Sequence, residues 1–193
     1  MHNIEPFYNW KDYYDSEEDS GSPFFQKECN QFEYSTEIYG YYIHPQWDSI
    51  GSPTLFVKVI YADYDEGIGI IELIGEWNDC IHNDIMFLKR ELIDSMVLSG
   101  ISKFILIGEN VLNFHHSDDS YYEEWFEEVM EMDGWIALLN FRDHVLQEFK
   151  ENDIDSFFLL GGKLNDIAWR TGGPERCIQK VEEMVQRRLD PSI

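Results

Sequence analysis

The stretch "TLFVKVIYADYDEGIGIIELIG" at residues 54–75 decides the fold. It contains two runs rich in β-branched residues, separated by "DYDEG", and this pattern is typical of a β-hairpin. The polar segment "GEWNDCIHND" ends the second run. A helical pattern follows in "NDIMFLKRELIDSMVLSG", with Asn83 or Asp84 as its cap and Gly100 as its stop. The sequence therefore predicts a strand, strand and helix at the start of an α/β domain.

Strands and helices then alternate along the chain. "SKFILIGENVL" (102–112), "WIALLNF" (135–141) and "DSFFLL" (155–160) are predicted as strands. Helices are predicted from Ser120 to about Met132, after Asp143, and from Pro174, which suits a first helical turn. The segment "KLNDIAWRTGG" fits either an edge strand or a loop. The order predicts a mixed, largely parallel sheet with an N-terminal antiparallel hairpin and helices.

Residues 1–50 differ from the remainder in composition. They carry ten acids against two lysines, together with many aromatic residues. Aromatic side chains at this density favour packing, either on the protein's own domain or on a partner. We predict that the regions near Phe24, Tyr41 and Trp47 bury against residues 55–190. The chain thus divides into an acidic, aromatic-rich N-terminal arm (1–50) and an α/β domain (51–193).

The formal net charge of −24 limits the classes of partner. A strongly acidic surface repels nucleic acid and anionic membranes, so neither is an expected partner. A protein partner or a homo-oligomer is compatible with this charge. The charge also fits a simpler role, which is to keep an aromatic-rich protein in solution.

The cysteines indicate a reducing compartment. Cys29, Cys80 and Cys177 are widely spaced and odd in number, and no CxxC pair occurs. The first fifteen residues contain acids and no apolar core of a secretory signal, and no run of apolar residues is long enough to span a membrane. The expected location is cytoplasmic.

The stretch "GENVLNFHHSDDSYYEEW" (108–125) admits three interpretations: a metal site, a phosphorylation site or the start of a helix. Ser120 and Glu123 form the S-x-x-E capping-box pattern. Neighbouring histidines on an extended chain point in opposite directions, so His115 and His116 are not expected to share one ion. We expect no metal site and no cofactor.

Several of these segments resemble the STAS domain of anti-sigma-factor antagonists and sulfate-transporter tails. The resemblance covers about residues 55–190 and rests on "GIGIIELIGEWND", "GISKFILIGENVLNFHHSDDS" and "GWIALLNFRDHVLQEFKENDIDSFFLL". It implies a STAS-like fold and a partner-switching role, in which a kinase phosphorylates the serine of an Asp-Ser pair. Asp119 and Ser120 match that pair, although Tyr121, Tyr122 and Glu123 stand where the family usually has Ser-Gly-Leu.

A second group of polar residues follows the predicted strands at their C-terminal ends, where open parallel sheets bind ligands. The group consists of Glu76, Asn78, Asp79, Glu109, Asn110, Asn113, Asn140, Arg142 and Asp143. These side chains form either a polar cleft for a ligand or partner, or an internal salt bridge with helix caps.

Established catalytic motifs are missing from the sequence. It contains neither a GxSxG motif nor a P-loop, and Cys80 near His82 is a weak candidate for a nucleophile and its base. The expected function is a non-catalytic cytoplasmic protein–protein interaction module in signalling or partner switching. The alternative is a small-molecule binder or enzyme at the polar sheet edge, which requires a concave pocket with converging polar groups.

Overall fold

The computed structural model of the protein describes residues 4–28, 32–34 and 36–189. In this part of the chain the strands form a two-stranded and a five-stranded sheet. They are β1 (Glu37–Ile38), β2 (Tyr41–Tyr42), β3 (Asp48–Ser49), β4 (Leu55–Asp63), β5 (Ile68–Asn78), β6 (Lys103–His115) and β7 (Trp135–Leu139).

The larger sheet has the order β3-β4-β5-β6-β7 and is mixed. β3 pairs antiparallel with β4, and β4 pairs antiparallel with β5 across the predicted hairpin. β5, β6 and β7 are parallel neighbours. The hairpin prediction is confirmed. The sheet is less parallel than predicted, because the arm adds the antiparallel β3 at one edge and the predicted strand at 155–160 does not form.

Two strands differ most from the prediction. β5 continues to Asn78 and so includes the first residues of the polar segment "GEWNDCIHND", which was predicted to end it. The predicted strand at 155–160 does not form. Its first residues belong to a 3₁₀ turn, Ile154–Ser156, and only Leu159 makes a bridge, to Ala137 of β7.

Four helices cover the sheet in the described part of the chain. The first, α1, is continuous and has three parts: α-helical Asp84–Leu88, π-helical Lys89–Ile93 and α-helical Asp94–Leu98. The others are α2 (Ser120–Glu131), α3 (Asp143–Glu151) and α4 (Pro174–Leu189). The segment after Gly161 forms a 3₁₀ turn, Gly162–Asp166. No helix among the described residues is long and apolar enough to cross a membrane.

The helices divide between the two faces of the sheet. The apolar stripes of α1, α2 and α3 bury against one face, where Leu88, Trp125 and Phe149 have no exposed surface. The other face packs against α4 and the segment before it, through Val181 and Trp169. This arrangement shields both faces of β5 and β6, as their continuous apolar runs require.

The arm packs on the domain. Trp10 is 2% exposed and makes edge contacts with Phe7 and Trp169. Phe24 belongs to the main core, and Trp47 packs in a smaller cluster with residues of β4 and β5. The packing prediction is confirmed at Phe24 and Trp47. Near Tyr41, Ile38 and Ile43 are buried in the same smaller cluster, whereas Tyr41 itself is 42% exposed on the β1–β2 hairpin.

Candidate functional site

One face of β5 carries charge into the core. Side chains alternate along a strand, so Ile70, Glu72 and Ile74 lie on the same face. Glu72 is only 1% exposed. Its Oε2 accepts the backbone N–H of Phe7 at 2.8 Å, and its Oε1 lies 3.5 Å from Nη2 of Arg170. Burial raises the pKa of Glu72 to about 7, because the long contact with Arg170 compensates only part of the lost hydration.

Glu109 and Asn140 meet in the same polar cluster. Oε1 of Glu109 accepts from Nδ2 of Asn140 at 3.0 Å and from Nε1 of Trp169 at 2.7 Å. Its Oε2 forms a salt bridge with Nη1 of Arg170. Burial alone would raise the pKa of Glu109, but these hydrogen bonds outweigh it and hold the pKa below its usual range. The guanidinium of Arg170 therefore pairs with two carboxylates, and its contact with Glu109 is closer than its contact with Glu72.

Glu76 and Asn78 form a separate cluster at the end of β5. Glu76 accepts the Tyr39 hydroxyl at 2.5 Å, and its other oxygen lies 3.1 Å from Nε2 of His115. Asn78 accepts the N–H of Ile81 at 3.0 Å through its side-chain oxygen. Both residues are almost fully buried, so these hydrogen bonds stabilise the chain reversal after β5.

Asp79 takes the capping role that was predicted for Asn83 or Asp84. Its Oδ1 accepts the N–H of Ile85 in the first turn of α1, at 2.8 Å. Asn83 precedes the helix in a left-handed conformation and makes no side-chain cap. Burial raises the pKa of Asp79 to about 6, against the opposing hydrogen bond from the Tyr122 hydroxyl.

Asp84 also turns away from the predicted role. Its Oδ2 accepts the N–H of Asn78 at 2.7 Å and the Thr54 hydroxyl at 3.1 Å. It therefore ties the end of β5 to the segment before β4.

Asn110 and Arg142 line a cleft of about 290 Å³. The cleft lies between the β1–β2 hairpin and the C-terminal ends of β5 and β6. Its wall is mainly apolar and is formed by Ile4, Ile38, Tyr41, Tyr42, Ile43, Ile74, Gly75 and Leu112. Arg142 is exposed and donates from Nε to the backbone oxygen of Glu109 at 3.4 Å.

The residues of the predicted polar edge therefore lie in several different environments. Internal hydrogen bonds occupy five of these side chains: Glu76, Asn78, Asp79, Glu109 and Asn140. Asn113 lies half-buried outside the cleft, and Asp143 is exposed in the first turn of α3. Asn110 and Arg142 are the members of the predicted group that line the cleft.

The histidine-rich stretch does not bring its ligands together. His115 faces Glu76, whereas Nε2 of His116 lies 2.5 Å from Oδ1 of Asp119. The exposed thiol of Cys80 donates to the backbone oxygen of His116 at 2.8 Å and not to His82. Cys177 is also a free thiol, and Cys29 lies outside the described residues.

The predicted capping box does not form. Asp119 occupies the cap position without a side-chain hydrogen bond, and Ser120 is the first helical residue. Asp118 takes over instead, because its Oδ1 accepts from both the backbone N–H of Ser120, at 3.0 Å, and the Ser120 hydroxyl. Ser120 and Asp119 remain exposed.

A carboxylate cluster between α1 and α2 was not predicted. Asp94, Glu124 and Glu128 have carboxylate oxygens within 4.8 Å of one another. The fully buried ammonium of Lys89 contacts all three, and Arg90 pairs with Asp94 and Glu124. The protein therefore supplies its own positive charge where a cation could otherwise bind.

The outer surface of α2 has no such compensation. From Glu109 to Asp133 the sequence contains nine acids and no lysine or arginine. Six of them are exposed, and none of the six has a Lys or Arg salt bridge within the described residues. We call these six residues the acidic face: Asp118, Asp119, Glu123, Glu127, Glu131 and Asp133.

Sequence reasoning missed Glu72, Arg170 and Lys89. One signal was available for Glu72, which is the only charged residue in the apolar run "IGIIELIG". A buried carboxylate needs a partner, so that position called for a cation elsewhere. Lys89 and Arg170 carried no comparable signal. The partners of Arg170 lie far away in the sequence, and so do two of the three carboxylates around Lys89, of which only Asp94 is near.

The chain was compared with protein-family models, with curated proteins and with solved structures, and none of the three comparisons gave a match.

Proposed function

We propose that the protein is a non-catalytic protein–protein interaction module that binds a basic surface of its partner through the acidic face. The observation that carries this proposal is the asymmetry of α2. Glu124 and Glu128, on the side toward α1, are neutralised by Lys89 and Arg90. The exposed acids have no such neighbour in the described chain, so their field is directed outward.

Apolar groups within the acidic face also favour a protein partner. Glu123, Glu127 and Met130 lie at helical positions i, i+4 and i+7, and therefore form one stripe. Met130 is 49% exposed and Met132 is 38% exposed. Exposed methionine is enriched at protein interfaces, where an apolar centre is surrounded by charged residues.

The state of the predicted polar edge supports binding rather than catalysis. Its carboxylates accept hydrogen bonds from Tyr39, Tyr122, Asn140 and Trp169. These hydrogen bonds commit the carboxylates of Glu76, Asp79 and Glu109 to the fold, and none of the three lines the cleft. This commitment favours the interaction module over an enzyme at that edge.

The STAS resemblance suggests how binding would be regulated. Ser120 is exposed at the start of α2, beside the acidic face. A phosphate there would meet Asp118 and Asp119 and disrupt the hydrogen bonds that Ser120 now makes with Asp118. We therefore keep Ser120 as the regulatory position. Because the added negative charge alone would favour a basic partner, phosphorylation releases the partner through the loss of the Ser120–Asp118 hydrogen bonds and the rearrangement of the start of α2. The free thiols of Cys80 and Cys177 support a cytoplasmic setting.

A variant of α2 that lacks three of its negative charges tests the proposal. Glu123→Gln, Glu127→Gln and Glu131→Gln are combined, since all three side chains are exposed and the helix should remain intact. A protein recovered from native lysate by the wild type is expected to bind this variant at least about tenfold more weakly, because three attractive charge interactions are lost. Calorimetry with the purified partner measures the affinity.

The matched control removes the same charge elsewhere. It combines three substitutions at exposed positions outside α2: Glu18→Gln, Glu66→Gln and Glu175→Gln. This control variant should bind the partner like the wild type. Equal weakening by both triple variants would reduce the effect to net charge. Unchanged binding by the α2 variant would reject the acidic face as the interface. The Ser120→Asp variant, tested in the same way, should lose the partner if the serine acts as a switch.

A further inference from the structure

The cleft beside Arg142 combines an apolar wall with one cationic end. Five aliphatic side chains line it: Ile4, Ile38, Ile43, Ile74 and Leu112. Its volume of about 290 Å³ is equivalent to roughly ten water molecules at liquid density. A space of this size and composition suits a small molecule with an apolar body.

Arg142 supplies the charge at this cleft. No Asp or Glu oxygen among the described residues forms a salt bridge with Arg142, and its Nε donates to the backbone oxygen of Glu109. The nearby carboxylate of Glu109 is engaged by Arg170, Asn140 and Trp169. The guanidinium of Arg142 is therefore available to an anion.

Charge and shape together select the ligand class. Guanidinium groups bind carboxylates through paired N–H donors, and the amide of Asn110 provides a further polar group on the same wall. A cation would be repelled by Arg142, and a wholly apolar molecule would leave its charge unused. We infer that the cleft binds a small amphipathic carboxylate, with the carboxylate at Arg142 and the apolar chain against the isoleucine side chains.

The protein's net charge does not prevent this binding. The formal charge is −24, but interactions between exposed charges decay over about 8 Å at physiological ionic strength. The local contact with Arg142 therefore decides whether an anion is accepted. This inference concerns a surface distinct from the acidic face and does not depend on the proposed protein partner.

Octanoate and 1-octanol are suitable probes because they share an eight-carbon chain and differ in charge. Calorimetry on the full chain near neutral pH is expected to show saturable octanoate binding with a stoichiometry of about one. Octanol should bind at least about tenfold more weakly, since it lacks the charge-assisted hydrogen bonds to Arg142. In amide NMR spectra, octanoate should shift the signals of Gly75, Asn110 and Leu112.

Three variants locate the site. Arg142→Met is expected to weaken octanoate binding about tenfold and to change octanol binding by less than about twofold. Leu112→Trp fills the cleft and should abolish both. Arg187→Met removes the same charge from an exposed position on α4 and should bind octanoate like the wild type. Circular dichroism and thermal unfolding verify that each variant is folded.

Three results would overturn the inference. One is the absence of saturable octanoate binding to the folded wild type. Another is octanoate binding that Arg142→Met leaves unchanged, which would place the ligand elsewhere. The third is equal weakening by Arg142→Met and Arg187→Met, which would reduce the effect to overall charge.

Discussion

Replacing Trp10 by alanine is expected to lower the free energy of unfolding by about 3–5 kcal/mol, the cost of removing a large aromatic side chain from a core. Trp10 is 2% exposed and lies between Phe7 and Trp169, with ring centroids 5.4 and 5.6 Å away. Its Nε1 also donates to the backbone oxygen of Gly172 at 2.9 Å. The substitution therefore leaves a cavity and an unpaired carbonyl oxygen at the junction of the arm and the domain.

Urea denaturation of the wild type and the variant measures this loss. Tyr8→Ala is the matched control, because Tyr8 belongs to the same segment and is 60% exposed. That control should change the free energy of unfolding by less than about 0.5 kcal/mol. A loss below about 1 kcal/mol for Trp10→Ala would contradict the packing of the arm as an integral part of the core.

The pH dependence of stability is expected to change when Glu72 becomes glutamine. The folded-state pKa of Glu72 is about 7, compared with an ordinary value of 4.5. Between these values the folded protein holds a proton that the unfolded chain has released, so the contribution of Glu72 to stability falls as the pH rises. The contribution is fully present below the ordinary pKa and is lost once the pH passes the folded-state value.

The difference between variant and wild type isolates this contribution. From about pH 5.5 to about pH 8.5, the stability of Glu72→Gln relative to wild type should rise by about 2 kcal/mol, because only the wild type loses the proton. This range avoids the isoelectric point near 4.3. Asp79 has a raised pKa as well, but it is present in both proteins and cancels in the difference.

Denaturation at several pH values gives the curve, with Glu175→Gln as the control at an exposed glutamate. That control should remain parallel to the wild type across the range. A parallel curve for Glu72→Gln would show that Glu72 is fully ionised in the folded protein. Arg170 would then pair with Glu72 as effectively as with Glu109, and the interpretation that Glu109 has the closer contact would fail.

Local patterns predicted the fold where neighbouring residues decide the conformation. The hairpin at 54–75 and the helix from Pro174 have strong periodicity and clear ends, and both form. The end of β5 could not be predicted in this way. Glu76 and Asn78 look like strand breakers, yet partners from distant segments, Tyr39 and His115 among them, satisfy Glu76 inside the fold.

The sequence predicted one continuous polar edge, whereas the structure distributes its residues among separate hydrogen-bonded clusters and the cleft. β6 contains two register irregularities relative to β5, one opposite Glu72/Ile74 and one opposite Gly75/Trp77. Such bulges change which side chains share a face, and no sequence pattern here marks their positions. Glu109 consequently joins Trp169 and Arg170, whereas its neighbour Asn110 faces the cleft.

Amide hydrogen exchange in the presence and absence of the recovered partner tests the central claim most directly. The account predicts that partner binding slows exchange in the loop before α2 and in α2 itself, over residues 118–133, because this surface becomes covered. Exchange around the cleft and in α4 should remain unchanged. Protection confined to the cleft or to α4, with residues 118–133 exchanging as in the free protein, would contradict the acidic face as the interface.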